Sequence, residues 1–305
     1  MRRNWAVVLM LLGPASFAGA QTNPLWHEEK IKNYLPHMTS PEVQDLLTRT
    51  DMAILHVPSL EQHGRHGPIG TDFYNGLQRA LLVAQRTDVL VAPILFPGNS
   101  PYHMEFPGTI TLTADTIQRV YFEAVQSLLR HGFHRILIFN SHGGNENISS
   151  YIVDRVNQET SGVAVELNEA AAPYLKEPTG LRRRSPVLDR HGGVGETSLS
   201  LYLTPNLVDM SAATRATITM PDHLQKMLPQ AVAGDPTALI LLRAEGLKAE
   251  ETGKHTSAKE MSTTGAWSVR DPKEATAEQG RREAEAFVDA AVQFIEKWKQ
   301  LVPRK

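Results

Sequence analysis

The strongest constraint on the fold of this 305-residue chain is a regular alternation of strand and helix patterns. Four short apolar runs, each typical of a buried strand, are separated by segments with apolar residues at helical spacing. Strands that alternate with helices form a parallel sheet covered by helices on both faces. We therefore predict an α/β fold with a mostly parallel sheet. The predicted strands are residues 51–58, 89–96, 135–140 and 163–167.

The predicted helices have recognisable ends. In the second helix, Thr113 is the predicted N-cap and Gly132 ends the helix. The last helix has an apolar stripe that is expected to pack against the sheet rather than to carry chemistry. Residues 208–267 have weak periodicity and are predicted to form loops and short helices. The predicted helices are residues 72–86, 113–132, about 146–156 and about 275–298.

The N-terminus has the layout of a secretory signal peptide. Arg2 and Arg3 precede an apolar run at residues 5–12, and small residues ending at Ala20 form a cleavage site of the A-x-A kind. The apolar run is too short to cross a bilayer, which takes about 20 residues. We predict that residues 1–20 are removed, and that residues 21–305 form a single periplasmic or secreted domain beginning near Gln21.

Composition narrows the possible chemistry. With 31 Lys and Arg against 33 Asp and Glu, the net charge is near zero and the sequence has no long basic run, so nucleic acid is not an expected partner. The chain has no Cys, which excludes a lipobox anchor, disulfides and thiol catalysis. Any metal ion must therefore be held by His and carboxylate groups, which suit zinc, manganese or iron.

Candidate ligands follow the predicted strands. The segment VPSLEQHGRHGPIGTD, residues 57–72, comes directly after the first strand, and His142 comes directly after the third. Ligands bind at the carboxyl ends of parallel strands, so these groups are expected to converge at one edge of the sheet. Two neighbouring metal ions need a bridging carboxylate and terminal His and carboxylate ligands. The candidate residues are Glu61, His63, Asp72, His142, His191 and Glu196.

Each candidate also has an ordinary interpretation. A single loop carboxylate is usually solvated, and Asp72 could simply cap its helix. A single His is more often a hydrogen-bonded structural residue than a ligand. The joint position of the candidates at strand ends favours a metal site for the set as a whole. The other histidines, His66, His103, His131 and His134, are interpreted as ordinary structural residues.

The motifs around these residues resemble those of the creatininase (creatinine amidohydrolase) family. The segments EQHGRHGPIGTD, NSPYHMEFPGTITL, FNSHGGNEN and DRHGGVGETS occur in the family's order. The later segment GAWSVRDPKEATAEQG is similar to the closing segment of the family. The resemblance covers about residues 51–280. It implies a three-layer α/β/α fold, a binuclear metal centre and a homo-oligomer, commonly a hexamer.

The resemblance also implies a role for each candidate. Glu61, Asp72 and His142 would hold one divalent metal ion. His63 and Asp72 would hold the other, with Asp72 bridging the two ions. His191 matches the catalytic His of the family.

Two departures from the family pattern bear on the site. Creatininase completes its second metal site with a Glu where this chain has Gly144. Many relatives with the HGGN form use the Glu of the ETS motif, which is Glu196 here, and Glu146 is the alternative. Creatininase also closes its site with tryptophans, whereas only Tyr151 and Tyr174 occur as large aromatic alternatives between the two motif histidines. Residues 171–190 are a candidate for a differently built lid.

These observations predict a metal-dependent amidohydrolase that acts on a non-peptide, cyclic C–N amide bond of a small molecule, with creatinine as one candidate. The metal centre would lower the pKa of water and polarise the carbonyl oxygen. His191 would carry the proton to the leaving nitrogen. A formamide or lactam hydrolase is one alternative. A non-catalytic binding or assembly protein on the same scaffold is the other. No membrane partner is expected after signal cleavage.

Overall fold

The computed structural model describes residues 29–176, 187–246 and 257–303. The chain divides into Met1–Lys30 and a compact unit, Ile31–Lys305, which contains every element named below. The predicted signal peptide lies outside the described residues. Residues 177–186 of the predicted lid also lie outside them, so both remain predictions.

The centre of the compact unit is a four-stranded parallel sheet in the order β2-β1-β3-β4. This confirms the parallel sheet predicted from the alternating pattern. The second strand is shorter than predicted because Pro93 has no N–H to donate to the ladder, and the chain leaves the sheet after it. The strands are β1 Met52–Val57, β2 Leu90–Pro93, β3 Arg135–Asn140 and β4 Val163–Glu166.

Both faces of the sheet are buried, which explains why its strands are almost continuously apolar. In β1, Met52 and Ile54 point into one core cluster, while Ala53 and Leu55 point into the other. These four side chains are all fully buried. The two clusters make the three-layer α/β/α arrangement, as predicted.

Helices cover each face of the sheet. The first core cluster is closed by α2, α5 and α10, and the second by α1, α3 and α4. A further helix, α6, packs on α2 and α10. The bounds are α1 Ser40–Arg49, α2 Thr71–Thr87, α3 Ala114–His131, α4 Glu146–Glu159, α5 Leu167–Ala171, α6 Val194–Leu203 and α10 Ala277–Leu301.

The predicted helix ends and the apolar stripe are confirmed. The Thr113 side chain accepts a hydrogen bond from the Thr116 N–H, and Gly132 ends α3 with a φ of 105°. In α10, Phe287, Val288 and Ile295 are buried in the first core cluster.

The region between α6 and α10 has a small core of its own. Its described part contains the short helices predicted from weak periodicity, and Met220, Leu224 and Met261 are among its buried residues. Trp267 packs against this core. Among the described residues, no helix is both long and apolar enough to cross a membrane. The short helices are α7 Leu228–Val232, α8 Pro236–Gly246 and α9 Ala258–Met261.

Candidate metal centre

Three of the predicted ligands meet beyond the carboxyl ends of β1 and β3. The Nδ1 of His142 lies 3.2 Å from Glu61 Oε1 and 3.1 Å from Asp72 Oδ2. All three side chains are buried. One ligand atom from each lies within 4.8 Å of the others, which is close enough for all three to hold a single ion.

A second group of three shares Asp72 with the first. The Nε2 of His63 lies 3.4 Å from Asp72 Oδ1 and 3.6 Å from Glu196 Oε2. Asp72 therefore faces one histidine with each carboxylate oxygen, which is the geometry of a bridging ligand. Glu146 is exposed at the start of α4 and belongs to none of the possible ligand groups found among the described residues.

His191 lies at the same cluster. Its Nδ1 is 3.3 Å from Glu61 Oε1, and its ring centroid is 4.3 Å from that of His63. Glu61, His63 and His191 form a third group with ligand atoms within reach of one ion. The position suits either a proton carrier or a ligand. We call Glu61, His63, Asp72, His142, His191 and Glu196 the carboxylate–histidine cluster.

Helix starts and one close loop contact position the cluster. Asp72 lies in the first turn of α2, and Glu196 lies in the first turn of α6. The Gly192 N–H donates a 2.7 Å hydrogen bond to Glu196 Oε2. Gly192 has a φ of 58°, and a Cβ there would lie only 3.1 Å from the main-chain carbon of His63. A glycine at this position therefore allows the two loops to approach.

Asparagines hold the turn that carries His142. The His142 N–H donates to Asn140 Oδ1 at 3.0 Å. Asn145 donates to the Pro58 carbonyl at 2.9 Å and accepts from the Asn99 N–H at 3.0 Å. Sequence reasoning did not select these residues. Their position inside two of the family-like motifs is the feature of the sequence that could have identified them. An asparagine side chain both donates and accepts, so it can bond to main-chain groups on both sides.

Hydrogen bonding prepares two histidines to receive a cation. The His63 ring donates from Nδ1 to the Glu61 carbonyl at 3.0 Å, and the His142 ring donates from Nε2 to the Asn99 carbonyl at 3.0 Å. Each neutral ring then turns its unprotonated nitrogen toward the carboxylates, which is how metal-ligating histidines are usually oriented. Glu61 Oε2, His63 Nε2 and Asp72 Oδ2 are buried without a hydrogen-bond partner. The residues therefore fit a divalent metal ion.

The charges of the cluster support the same conclusion. Burial lowers the pKa of His63, but the charge and hydrogen bond of Asp72, together with the charges of Glu196 and Glu61, outweigh burial and raise the pKa to about 10. Burial also opposes protonation of His142, while Glu61 and Asp72 raise its pKa well above the usual value. Burial would raise the pKa of Asp72, but the two histidines lower it. Protonated histidines thus balance buried carboxylates, a task that a metal ion performs after displacing those protons.

The remaining ionisable groups behave differently. Burial, followed by the positive charge of neighbouring histidines, lowers the pKa values of His103 and His191 well below the usual value. Both rings are therefore neutral near pH 7. Partial burial raises the pKa of Glu196, helped by the charge of Asp72 and opposed by His63.

The interpretation of His103 as an ordinary structural residue does not match its position. Its buried ring stacks on His191 with centroids 4.2 Å apart, and its Nε2 lies 3.8 Å from Glu61 Oε2. The other three histidines fit the ordinary interpretation. His66 makes a 2.8 Å hydrogen bond with Thr197 Oγ1, while His131 and His134 are exposed.

Neither tyrosine between the two motif histidines belongs to the carboxylate–histidine cluster. Tyr151 is 49% exposed on α4, and Tyr174 packs against the first core cluster. The described residues of this stretch therefore provide no aromatic replacement at the cluster. Trp267 comes closer, because its main-chain N–H donates to the His191 carbonyl at 2.7 Å.

The fold and the cluster define a class of protein. A three-layer α/β/α domain with carboxylates and histidines at the carboxyl edge of its sheet has the features of metal-dependent hydrolases. The sequence profile of the creatininase family, described as creatinine amidohydrolase, matches residues 36–295. The chain belongs to the creatininase family.

Relatives of this chain have differing names. Creatinine amidohydrolase from Pseudomonas putida is 30% identical over 171 residues, which are 52% of this chain and 66% of that protein. The 3-dehydro-scyllo-inosose hydrolase from Thermotoga maritima is 29% identical over 181 residues, 57% of each protein. The mycofactocin precursor peptide peptidase from Mycolicibacterium smegmatis is 26% identical over 265 residues, 84% of this chain and 88% of that one. The chain thus spans less than two thirds of the length of the first two relatives.

Solved structures confirm the fold. A structure named creatininase Mn has a TM-score of 0.62 and 22% identity, covering 90% of this chain and 100% of that one. A mutant creatininase of Zn-Zn type has a TM-score of 0.64 and 21% identity, covering 90% of this chain and 99% of that one. Both have the α/β architecture described above.

Proposed function

We propose that this chain is a metal-dependent amidohydrolase that adds water across a C–N amide bond and releases a carboxylate and an amine. The observation that carries the proposal is the pair of ligand groups sharing Asp72. Each group combines histidine and carboxylate atoms within 4.8 Å of one another. Such a pair suits two divalent ions, and zinc, manganese and iron all accept these ligands.

Each residue of the cluster has a proposed role. Glu61, Asp72 and His142 hold one ion, and His63, Asp72 and Glu196 hold the other. Bound at these positions, the ions would supply a water of lowered pKa and would polarise the carbonyl of the substrate. Relatives of known structure with Mn and Zn-Zn in their names support this choice of ions.

His191 is the proposed proton carrier. Its ring is neutral near pH 7, because burial and the neighbouring histidines disfavour the protonated form, so a proton that it takes up during the reaction is readily passed on. Its Nδ1 faces Glu61 Oε1, so a proton taken up there stays beside the reacting groups. The same nitrogen can then return the proton to the leaving nitrogen of the amide, as a base followed by an acid.

The proposed substrate is a small cyclic amide. The name of the Pseudomonas putida relative supports creatinine as the first compound to test. Formamides and lactams present the same C–N bond to the cluster. A peptide amide is a further candidate, since a relative matched over 84% of this chain is named as a peptidase.

A turnover screen tests the proposal. Metal-free protein is reloaded with Zn²⁺, Mn²⁺ or Fe²⁺ and assayed against creatinine, hydantoins, lactams, formamides and short peptides. Asp72→Ala is the control, because it removes the shared ligand. We expect one of these classes of amide to be hydrolysed by the metal-loaded protein, and not by Asp72→Ala or the metal-free protein. If the fully loaded protein hydrolyses none of them, the non-catalytic alternative is favoured.

A further inference from the structure

Gln62 lies beside the carboxylate–histidine cluster and contacts several of its neighbours. The proposed metal ligands do not account for this position of Gln62. Its side chain is only 4% exposed. The amide nitrogen Nε2 lies 2.8 Å from His103 Nδ1, 3.0 Å from His191 Nε2 and 2.9 Å from the Gly265 carbonyl. An amide nitrogen carries only two hydrogens. One of these three contacts is therefore not a hydrogen bond donated by Gln62.

Two main-chain groups determine which way the amide points. The Gly64 N–H can only donate, and it lies 2.9 Å from Gln62 Oε1. The Gly265 carbonyl can only accept, and it lies 2.9 Å from Gln62 Nε2. Turning the amide over would place donor against donor and acceptor against acceptor. The orientation is thus determined independently of the two histidines.

The main-chain carbonyl of Gln62 determines the tautomer of His191. His191 Nε2 lies 2.6 Å from that oxygen, which can only accept. Nε2 must therefore carry the proton in the neutral ring. A protonated Nε2 cannot also accept from the Gln62 amide, so their contact is the one that is not a hydrogen bond. The unprotonated nitrogen of His191 is then Nδ1, which faces Glu61.

The side-chain amide of Gln62 determines the tautomer of His103. One amide hydrogen is donated to the Gly265 carbonyl, and the other is left for His103 Nδ1. Because His103 Nδ1 accepts, the neutral ring carries its proton on Nε2. That N–H points toward Glu61 Oε2, an oxygen that is buried without a hydrogen-bond partner.

We propose that Gln62 is a positioning residue that determines the tautomers of both histidines beside the metal centre. Its carbonyl keeps the proton of the neutral His191 ring on Nε2 and leaves Nδ1 unprotonated, and its amide makes His103 a donor toward Glu61. The consequence for catalysis rests on the proposed amidohydrolase function. The two tautomers do not, because they follow from hydrogen bonds that are independent of any substrate.

Nitrogen NMR of the wild-type full chain tests the tautomers without any assay of turnover. Protein with ¹⁵N-labelled histidine, loaded with diamagnetic Zn²⁺, gives long-range ¹H–¹⁵N patterns that distinguish the two neutral tautomers. The signals are assigned with His103→Asn and His191→Asn. We expect Nε2 to be protonated and Nδ1 unprotonated in both rings. A proton on Nδ1 of either neutral ring would overturn the proposal.

Two variants distinguish the role of the main-chain carbonyl of Gln62 from the role of its side-chain amide. Gln62→Leu keeps the carbonyl and removes the amide, so His191 should keep its tautomer while His103 becomes a mixture. Gln62→Glu keeps the side-chain size but has no hydrogen to donate when ionised, so the proton of His103 should move to Nδ1. With metal retained, kcat of Gln62→Leu should fall by about 10–100-fold, the usual effect of losing a residue that orients a metal site.

These variants also keep the two proposals apart. If His103 keeps its wild-type tautomer in both variants, Gln62 does not position it, whatever the activity. If the tautomers behave as expected while the wild type hydrolyses no amide, the positioning role stands and the proposed function fails. If Gln62→Leu does not fold, the wild-type spectrum and the Gln62→Glu variant still show whether Gln62 determines the two tautomers.

Discussion

Single residues of the carboxylate–histidine cluster differ in what they contact, and Asp72 and His191 show the difference most clearly. Asp72 faces His63 and His142 with separate oxygens, as a bridging ligand would. His191 reaches only Glu61 among the carboxylates and belongs to a different possible ligand group. The proposed roles are therefore separable by substitution.

We predict that Asp72→Ala loses metal and activity together, because both ligand groups lose their shared carboxylate. His191→Ala should keep the metal, while its rate falls by about 10²–10⁴-fold, the usual contribution of a positioned acid or base. Metal content, melting temperature and rate are measured for both. Loss of metal from His191→Ala would show that His191 is a ligand, and full activity would exclude the proton-carrying role.

A second residue-scale prediction concerns His56, which is fully buried in β1. Burial, followed by the charge of Arg79, lowers the pKa of His56 from 6.5 to about 3, although Asp72 opposes the shift. Above pH 6.5, the pKa of His56 in the unfolded chain, His56 is neutral in both the folded and the unfolded state. Its contribution to stability is then fully present. As the pH falls from 6.5 toward 3, the unfolded chain takes up a proton that the folded protein excludes. The free energy of unfolding then falls by at most about 1.4 kcal/mol per pH unit.

Urea unfolding of metal-free wild type and His56→Gln between about pH 7 and pH 5 measures this contribution. Groups far from His56 titrate alike in both proteins, so the difference between the two proteins reports on His56 and its charge partners Arg79 and Asp72. The variant should lose stability less steeply than wild type as the pH falls. Equal slopes would mean that the folded protein admits the proton.

Among the elements, the turn between β3 and α4 provides a matched pair of glycines. A Cβ on Gly144 would collide with the Asn99 carbonyl and the His142 ring, whereas a Cβ on Gly143 would meet no atom within 4 Å. The same collision explains in physical terms why a larger side chain such as Glu does not fit position 144 of this turn as it stands.

We expect Gly144→Ala to destabilise the protein by about 1–3 kcal/mol, the usual result of overpacking. It should also weaken metal binding by displacing His142. Gly143→Ala should change stability by no more than about 0.5 kcal/mol. Chemical denaturation and metal titration of both variants provide the comparison. If the two variants behave alike, the close packing around Gly144 is not what holds His142.

The regular elements were predictable because their signals are local. The apolar runs located β1 and β3 to within about a residue, and Thr113 and Gly132 located the ends of α3. The predicted cluster residues come together because parallel strands bring their carboxyl ends to one edge. Gln62 and His103 were not selected, because their contacts join loops far apart in sequence and no periodicity encodes the path of a loop.

The whole molecule brings together groups that the chain keeps far apart. Glu61, in the loop after β1, and Glu196, in the first turn of α6, come to one site only when the sheet, α2 and α6 are packed. Metal binding to the folded protein should therefore also stabilise it, since the unfolded chain offers no preformed site. The helix α10 supports this arrangement by packing on both α2 and α6.

Export is a further prediction for the whole chain. We propose that residues 1–20 direct secretion and that the mature protein begins near Gln21. Expression of the full chain in a bacterial host, followed by N-terminal sequencing of the periplasmic fraction, tests this. Protein retained in the cytoplasm with Met1 intact would contradict it.

Metal stoichiometry is the most direct test of the proposed metal centre. Wild type, Glu196→Gln and the control Glu146→Gln are loaded with Zn²⁺, freed of excess ion and analysed for bound zinc per chain. Glu196 lies 3.6 Å from His63, while Glu146 is exposed on α4. We predict two ions for wild type and for Glu146→Gln, and one for Glu196→Gln. A wild type that binds no zinc, or a Glu196→Gln protein that keeps both ions, would contradict the proposed binuclear centre.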